Sequence, residues 1–263
     1  MKEQMENRIR TKWAGKHVVS FDVTDSTNTQ ARICAEDGAP HGTLVIADMQ
    51  VGGKGRRGRS WVSPAGEGIW MSILLRPEIS AMSASMLTLV AALATERGVR
   101  EATGQQSLIK WPNDLVLNKK KICGILTEMA TDQADIKYVI VGIGINVSQK
   151  EFPEELKQSA TSIYLETGKV FDRSSIVAAV MQAFEEYYEI FVKTEDLSGL
   201  LDFYNEKLVN RDQEVCVLAP EGDFRGIARG INHTGGLLVQ LKDGTETEVI
   251  SGEVSVRGVY GYV

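Results

Sequence analysis

The chain has 263 residues, 43% of them apolar and 24% charged, and its 35 acidic against 29 basic residues leave a net charge of −6. These proportions exclude wholesale disorder, and a chain this long buries a core without disulfide or metal staples. No apolar run approaches the roughly 20 residues of a membrane helix, and an acidic balance argues against non-specific nucleic-acid binding.

The opening MKEQMENRIRTKW has no apolar core and does not read as a signal peptide; a helix is expected over about 4–13. Residues 18–23 read as a strand. Asp25-Ser26-Thr27-Asn28 supplies natural caps for a helix to Glu36, which Gly38 ends. A β-branched strand is expected over 44–49. Residues 52–60, GGKGRRGRS, then hold Lys54, Arg56, Arg57 and Arg59 among four glycines and no acid. Glycine costs about 1 kcal/mol in a helix interior, so this is a pliable cationic loop. It is either a solvated surface loop or an anion-binding loop that orders around its ligand. Gly53 to Gly58 matches GxGxxG, but a dinucleotide fingerprint needs a helix opening at the motif. Here Trp61, Pro64 and a strand follow.

That strand, 68–76, alternates Ile69, Met71, Ile73 and Leu75 with Trp70, Ser72 and Leu74. A helix is expected over 83–102, then strands over 108–111, 115–117, 122–129 and 137–146, with the lysines at 119–121 at a hairpin tip. Lys110-Trp111-Pro112-Asn113-Asp114 joins the first two of these strands. Pro112 forces Trp111 to be extended, and the segment is either an Asx-capped turn or part of a site. Gly142-Ile143-Gly144-Ile145-Asn146 puts two glycines on one strand face, which marks close approach by a ligand, a bulge or tight packing. The strand over 137–147 is either a sheet edge open to a second copy or an internal strand. The pairs Glu154-Glu155 and Glu185-Glu186 read as solvated charge on exposed helices. Helices are expected over 172–194 and 197–208.

After Asn210 the texture changes to short alternating strands separated by Ala219-Pro220-Glu221-Gly222, Gly235-Gly236 and Asp243-Gly244. That spacing suggests a small β-barrel, so the expected division is 1–210 and 211–263. Walker A, HRD, DFG and GxSxG patterns are absent, and His17, His41 and His233 are scattered. Cys34, Cys123 and Cys216 form no CxxC or zinc spacing, which fits free thiols in a reducing cytoplasm.

Five motifs together resemble biotin–protein ligase: Asp25-Ser26-Thr27-Asn28, the loop from Gln50 to Trp61, Lys110 to Asp114, Lys121-Ile122-Cys123-Gly124-Ile125-Leu126, and Gly142 to Asn146. They occur in the family's order over about residues 12–210, and Ser251-Gly252-Glu253-Val254-Ser255-Val256-Arg257 resembles its SH3-like C-terminal domain. The resemblance implies an α+β fold: a mixed β-sheet with packed helices, of the class II synthetase-like kind, followed by a small SH3-like barrel. It implies ATP with Mg²⁺, biotin as substrate and biotin carboxyl carrier protein as acceptor. Lys121 and Arg56 are implied as catalytic. Biotin is assigned to Ser26, Thr27, Asn28, Gln50, Gly53, Lys54, Gly55, Arg56, Trp61, Lys121, Gly124, Gly142 and Gly144, and ATP to Arg56, Arg59, Trp111, Asn113, Asp114, Lys121 and Asn146. Asp114 is expected to orient the incoming lysine or a Mg²⁺ shell, and Cys123 to be strand filler. The family loop usually reads GRGRRGR; Lys54 stands at its first arginine, keeping the charge and losing the bidentate fork. Some family members carry an N-terminal helix-turn-helix domain; about eleven residues precede the similar region here, so operator-specific DNA binding is not expected. A homodimer is compatible with the sequence. Lipoate–protein ligase and a non-catalytic biotin-binding scaffold are the alternatives.

Overall fold

Every residue of the strand β3 (Gly68–Leu75) is buried, because its alternating side chains fill two cores rather than one. Ile69, Met71, Ile73 and Leu75 enter the main core and Leu74 a smaller one on the opposite face. A computed structural model, which describes residues 2–133, 135–219, 222–251, 255–258 and 262–263, places β3 inside a seven-stranded sheet. Its other strands are β1 (Val18–Thr24), β2 (Thr43–Gln50), β4 (Leu108–Lys110), β5 (Asp114–Leu117), β6 (Lys120–Asp132) and β7 (Asp135–Asn146), in the spatial order β1-β2-β3-β7-β6-β5-β4. β1 and β2 run parallel and every other neighbouring pair antiparallel.

Apolar positions at helical spacing explain the helices on the main-core face. α4 (Leu87–Thr103) buries Val90, Ala91 and Ala94 against α6 (Arg173–Thr194), which offers Val180, Ala183 and Phe184. On the other face, α2 (Thr27–Glu36) sets Ala31 and Ala35 on Val45, Leu74 and Ile140. The shorter helices are α1 (Lys2–Glu6), α3 (Ala81–Ala84), α5 (Ile163–Thr167) and α7 (Leu201–Lys207). Beyond them β8 (Glu214–Leu218), β9 (Phe224–Ile231), β10 (Leu237–Gln240), β11 (Glu246–Val249) and β12 (Ser255–Gly258) form an antiparallel sheet in the order β11-β10-β9-β8-β12. Val217, Ala228, Leu237 and Val239 of this sheet belong to the same apolar cluster as Leu197, Leu200 and Tyr204, so one core serves both sheets. Pro220, Glu221 and Gly252 to Val254, which the sequence marks as turn and motif, lie outside the described residues.

Three expectations are corrected, and the alternative left open for the strand over 137–147 is decided. The N-terminal helix stops at Glu6, because the backbone N–H groups of Lys12, Trp13 and Ala14 donate to the Glu185 carboxylate at 2.7–3.0 Å. Glu185 is therefore not solvated: it is 4% exposed. Burial alone would raise its carboxyl pKa, but the three N–H donors and Lys12 hold it below the ordinary range. β7 is internal, flanked by β3 and β6, so it offers no edge to a second copy. Finally, the hairpin tip is Asn118-Lys119, both at positive φ, and Lys121 stands inside β6.

Candidate active site

Strand register brings the glycines of two separate motifs together. Gly144 pairs with Gly124 on one side and Trp70 on the other, and Gly142 pairs with Leu126 and Ser72. On the α2 face these positions leave a shallow trough. A Cβ at Gly142 would collide with Asn28 Oδ1, one at Gly144 with the Trp61 indole, and one at Gly124 with Trp61 and the end of Lys121. The glycines thus make room for three side chains in the sequence Asn28, Trp61, Lys121 along the trough.

The polar end is a connected set of hydrogen bonds. Gln50 Oε1 accepts from Thr27 N at 2.8 Å and from Thr27 Oγ1 at 3.1 Å, and Gln50 Nε2 donates to Ser63 Oγ at 2.8 Å. Asn28 Nδ2 donates to Glu128 Oε2 at 2.6 Å. Gly53 is buried beside this set, where a side chain would strike the Trp61 carbonyl and Ser63. Ser26, Thr27 and Asn28 are each at most 5% exposed.

The other end is cationic. Lys121 Nζ pairs with Asp114 Oδ1 at 2.5 Å and sits 5.1 Å from the centre of the Trp61 ring. Arg56 reaches across from the glycine-rich loop to donate to Asn113 Oδ1 at 2.8 Å, and Asn113 Nδ2 is anchored on the Ile125 carbonyl. The loop itself is a small hairpin: Gly55 N donates to the Arg59 carbonyl at 2.7 Å and Trp61 N to the Gly53 carbonyl at 2.9 Å. Behind Asp114, Tyr262 donates its hydroxyl to Asp114 Oδ2, and Lys110 Nζ lies 4.3 Å over the Tyr262 ring. Burial alone would raise the Asp114 carboxyl, but the charges of Lys121 and Lys110 and the bonds from Lys121 and Tyr262 bring it below the ordinary range. Burial pushes Lys110 down to about 8, against the opposing pull of Asp114. Burial likewise raises the Cys123 thiol far above its usual value, as suits an inert filler.

Of the residues singled out in the sequence, Ser26, Thr27, Asn28, Gln50, Lys54, Gly55, Arg56, Trp61, Asn113, Lys121, Gly124, Gly142 and Gly144 line one cavity, joined by Met71, Ile125, Leu126 and Ile143. Gly53 and Asp114 stand directly behind that lining, and Arg59 is an exposed member of the hairpin. Trp111 and Asn146 do not line the cavity. The Trp111 indole is 1% exposed and donates to the Gly235 carbonyl, and Asn146 is held by the Thr161 carbonyl and Gln149. Sequence reasoning did not pick out Ser72, Ser63 or Tyr262. A lone hydroxyl in the apolar alternation of β3 was a signal for Ser72; Tyr262 carries none, since Asp114 is 148 residues away.

Comparison with known proteins gives consistent results. Residues 20–146 match the biotin/lipoate A/B protein ligase family, and residues 212–257 match the biotin protein ligase C-terminal domain. The bifunctional ligase/repressor BirA of Bacillus subtilis is 39% identical over 238 residues, covering 90% of this chain and 73% of that protein. The biotin–[acetyl-CoA-carboxylase] ligase of Paracoccus denitrificans is 32% identical over 222 residues, covering 82% and 91%. Among solved structures, the biotin protein ligase from Aquifex aeolicus in complex with biotin and ATP superposes with a TM-score of 0.81 at 34% identity, covering 92% of this chain and 99% of that one.

Proposed function

This chain belongs to the biotin–protein ligase family, and from that premise we propose that the cavity binds biotin and MgATP and joins them before biotin is passed to a carrier lysine. The reaction has two steps. A biotin carboxylate oxygen attacks the α-phosphorus of ATP, expelling pyrophosphate and leaving biotinyl-5′-AMP. The ε-amine of a lysine on the biotin carboxyl carrier protein then attacks the acyl carbon, forming the amide, losing a proton and expelling AMP.

The first step presses one anion onto another, and two unit charges about 4 Å apart repel by roughly 4 kcal/mol at an effective dielectric near 20. Fixed cations meet that need better than a nucleophilic side chain does. The observation that supports the assignment is the convergence of Lys121 and Arg56 at one end of a cavity whose other end is the Thr27–Gln50–Ser63 network. Lys121 rests on Asp114 and is assigned to bridge the carboxylate and the α-phosphate, exchanging one anionic partner for another. Arg56 and its hairpin close over the adenylate, with Asn113 beside the nucleotide. The polar end takes the ureido group, and the glycine trough with Trp61 holds the bicycle. Mg²⁺ arrives on the triphosphate as part of the substrate. Among the described residues no helix is long and apolar enough to cross a membrane. The three cysteines are free, and a cytoplasmic location is part of the proposal, as is the working division 1–210 for catalysis and 211–263 for the appended sheet.

Biotin-dependent ATP–pyrophosphate exchange tests the reading. Wild type should exchange with biotin and not with lipoate. Lys121→Ala should lose at least about 10²-fold while keeping its far-UV spectrum, as expected for removal of one preorganised charge. Exchange driven by lipoate alone would transfer the assignment to lipoate ligation; exchange driven by neither would leave a binding scaffold.

A further inference from the structure

Ser72 is fully buried on β3, under the polar end of the cavity, and no role assigned above uses it. Its oxygen lies 2.8 Å from Thr27 Oγ1 and 2.7 Å from Asn28 Oδ1. A hydroxyl carries one hydrogen, so Ser72 donates to one of them at a time. Asn28 turns its carbonyl toward Ser72, because its Nδ2 is committed to Glu128 Oε2 and the Leu126 carbonyl. Gln50 likewise turns its carbonyl toward Thr27, because its Nε2 is committed to Ser63. Three oxygen–oxygen contacts follow in a row: Gln50 to Thr27 at 3.1 Å, Thr27 to Ser72 at 2.8 Å, and Ser72 to Asn28 at 2.7 Å. Only the Ser72 and Thr27 hydroxyls supply hydrogens to them, so two hydrogens serve three contacts. The row is one hydrogen short, and because Gln50 Oε1 keeps the Thr27 backbone N–H in either case, the open acceptor position falls on Thr27 Oγ1 or Asn28 Oδ1, in a buried place where an unpaired acceptor is costly.

Thr27 and Asn28 both line the cavity, so the missing hydrogen can come from a ligand. We infer that Ser72 is a positioning residue that sets ligand specificity: it shares its proton between Thr27 and Asn28 so that the cavity floor demands an N–H donor. When Ser72 donates to Asn28, Thr27 donates back to Ser72 and its free lone pair faces the ligand. When Ser72 donates to Thr27, the Asn28 carbonyl is the open acceptor. Either arrangement suits a cyclic urea, with its two N–H groups, and penalises a ring of similar size that has none. Sites built to hydrogen-bond a polar group reject the analogue lacking it far more strongly than apolar pockets reject an extra methylene. The inference deepens the biotin reading and rests on it, since a dithiolane ring brings no N–H.

Steady-state pyrophosphate exchange in the full chain tests it. Wild type that shows no biotin-dependent exchange would sink the functional reading itself. Given an active wild type, Ser72→Ala should raise the KM for biotin about tenfold, with kcat and the KM for ATP within twofold. Desthiobiotin, which keeps the urea and lacks the thioether, should lose the same factor, leaving the biotin-to-desthiobiotin ratio unchanged. Ser72→Thr, which retains the hydroxyl, should recover most of the loss. A biotin KM within twofold of wild type in Ser72→Ala, or biotin and ATP KM values rising together, would overturn the inference.

Discussion

Lys110 is 6% exposed, and burial pushes its ammonium down to about 8 from an ordinary 10.5. Between those two values the unfolded chain still holds a proton that the native chain has released, so stability rises with pH across the window. Below about 8 both states are charged and the full penalty, about 3 kcal/mol, opposes folding. Urea unfolding of wild type and Lys110→Met at pH 7 and pH 9.5 should show wild type gaining on the variant as pH rises. Equal pH dependence in the two proteins would refute the account. Individual residues were legible in the sequence where one short motif carried several of them: Lys121 with Gly124, Arg56 in its glycine loop, Asn113 and Asp114 after Pro112. They were illegible where a partner is remote in the chain. Glu185 and Glu186 are adjacent in sequence, yet one is buried against the N–H groups of residues 12–14 and the other pairs with Arg97 at 2.6 Å. No local pattern separates them.

Among the elements, the hairpin of residues 52–60 has the most direct functional consequence. Its glycines let the chain turn back on itself, with Arg57 at φ 58° and Gly58 at φ 72°. Its grip on the sheet includes Arg56 to Asn113, a contact spanning 57 positions in the chain. A mixed anhydride is labile in water, so a flap that stays shut until the acceptor docks protects it. Arg56→Gly removes the guanidinium and its bond to Asn113. Its expected outcome is release of biotinyl-AMP and biotin on bystander lysines, read by streptavidin blotting of a mixed-protein reaction. Labelling confined to the carrier would show that closure does not depend on Arg56. Periodicity located the strands of the first sheet and the long helices well, because each buries one consistent face. The helix expected over residues 4–13 did not hold, because Glu185 claims the N–H groups of Lys12 to Ala14 that a helix there would need. Periodicity could not rank β7 as internal, since a strand buried on both faces and an edge strand covered by helices show the same apolar run.

At the scale of the whole molecule, the change in texture after Asn210 suggested a separate unit, yet the two sheets share one apolar cluster and several specific ties. Trp111 donates its backbone N–H to Asn210 Oδ1 and its indole N–H to the Gly235 carbonyl, and Tyr262 closes on Asp114. A continuous core with polar ties of this kind predicts that the sheets unfold together. All four tryptophans precede residue 112, so their fluorescence follows the first sheet and, through Trp111 on the Gly235 carbonyl, its seam with the second, while amide exchange in β9 and β10 reports the second sheet alone. The two probes should share one urea midpoint. Tyr262→Phe should shift both by the same amount, because it keeps the ring over Lys110 and leaves a buried carboxylate oxygen without its donor. That loss amounts to roughly 1–3 kcal/mol. Separate midpoints, or a shift confined to β9 and β10, would mean that the second sheet is an independent attachment. A common shift would mean that Tyr262 helps hold the aspartate on which the Lys121 ammonium rests, which couples the C-terminal part of the chain to the cavity of the first sheet.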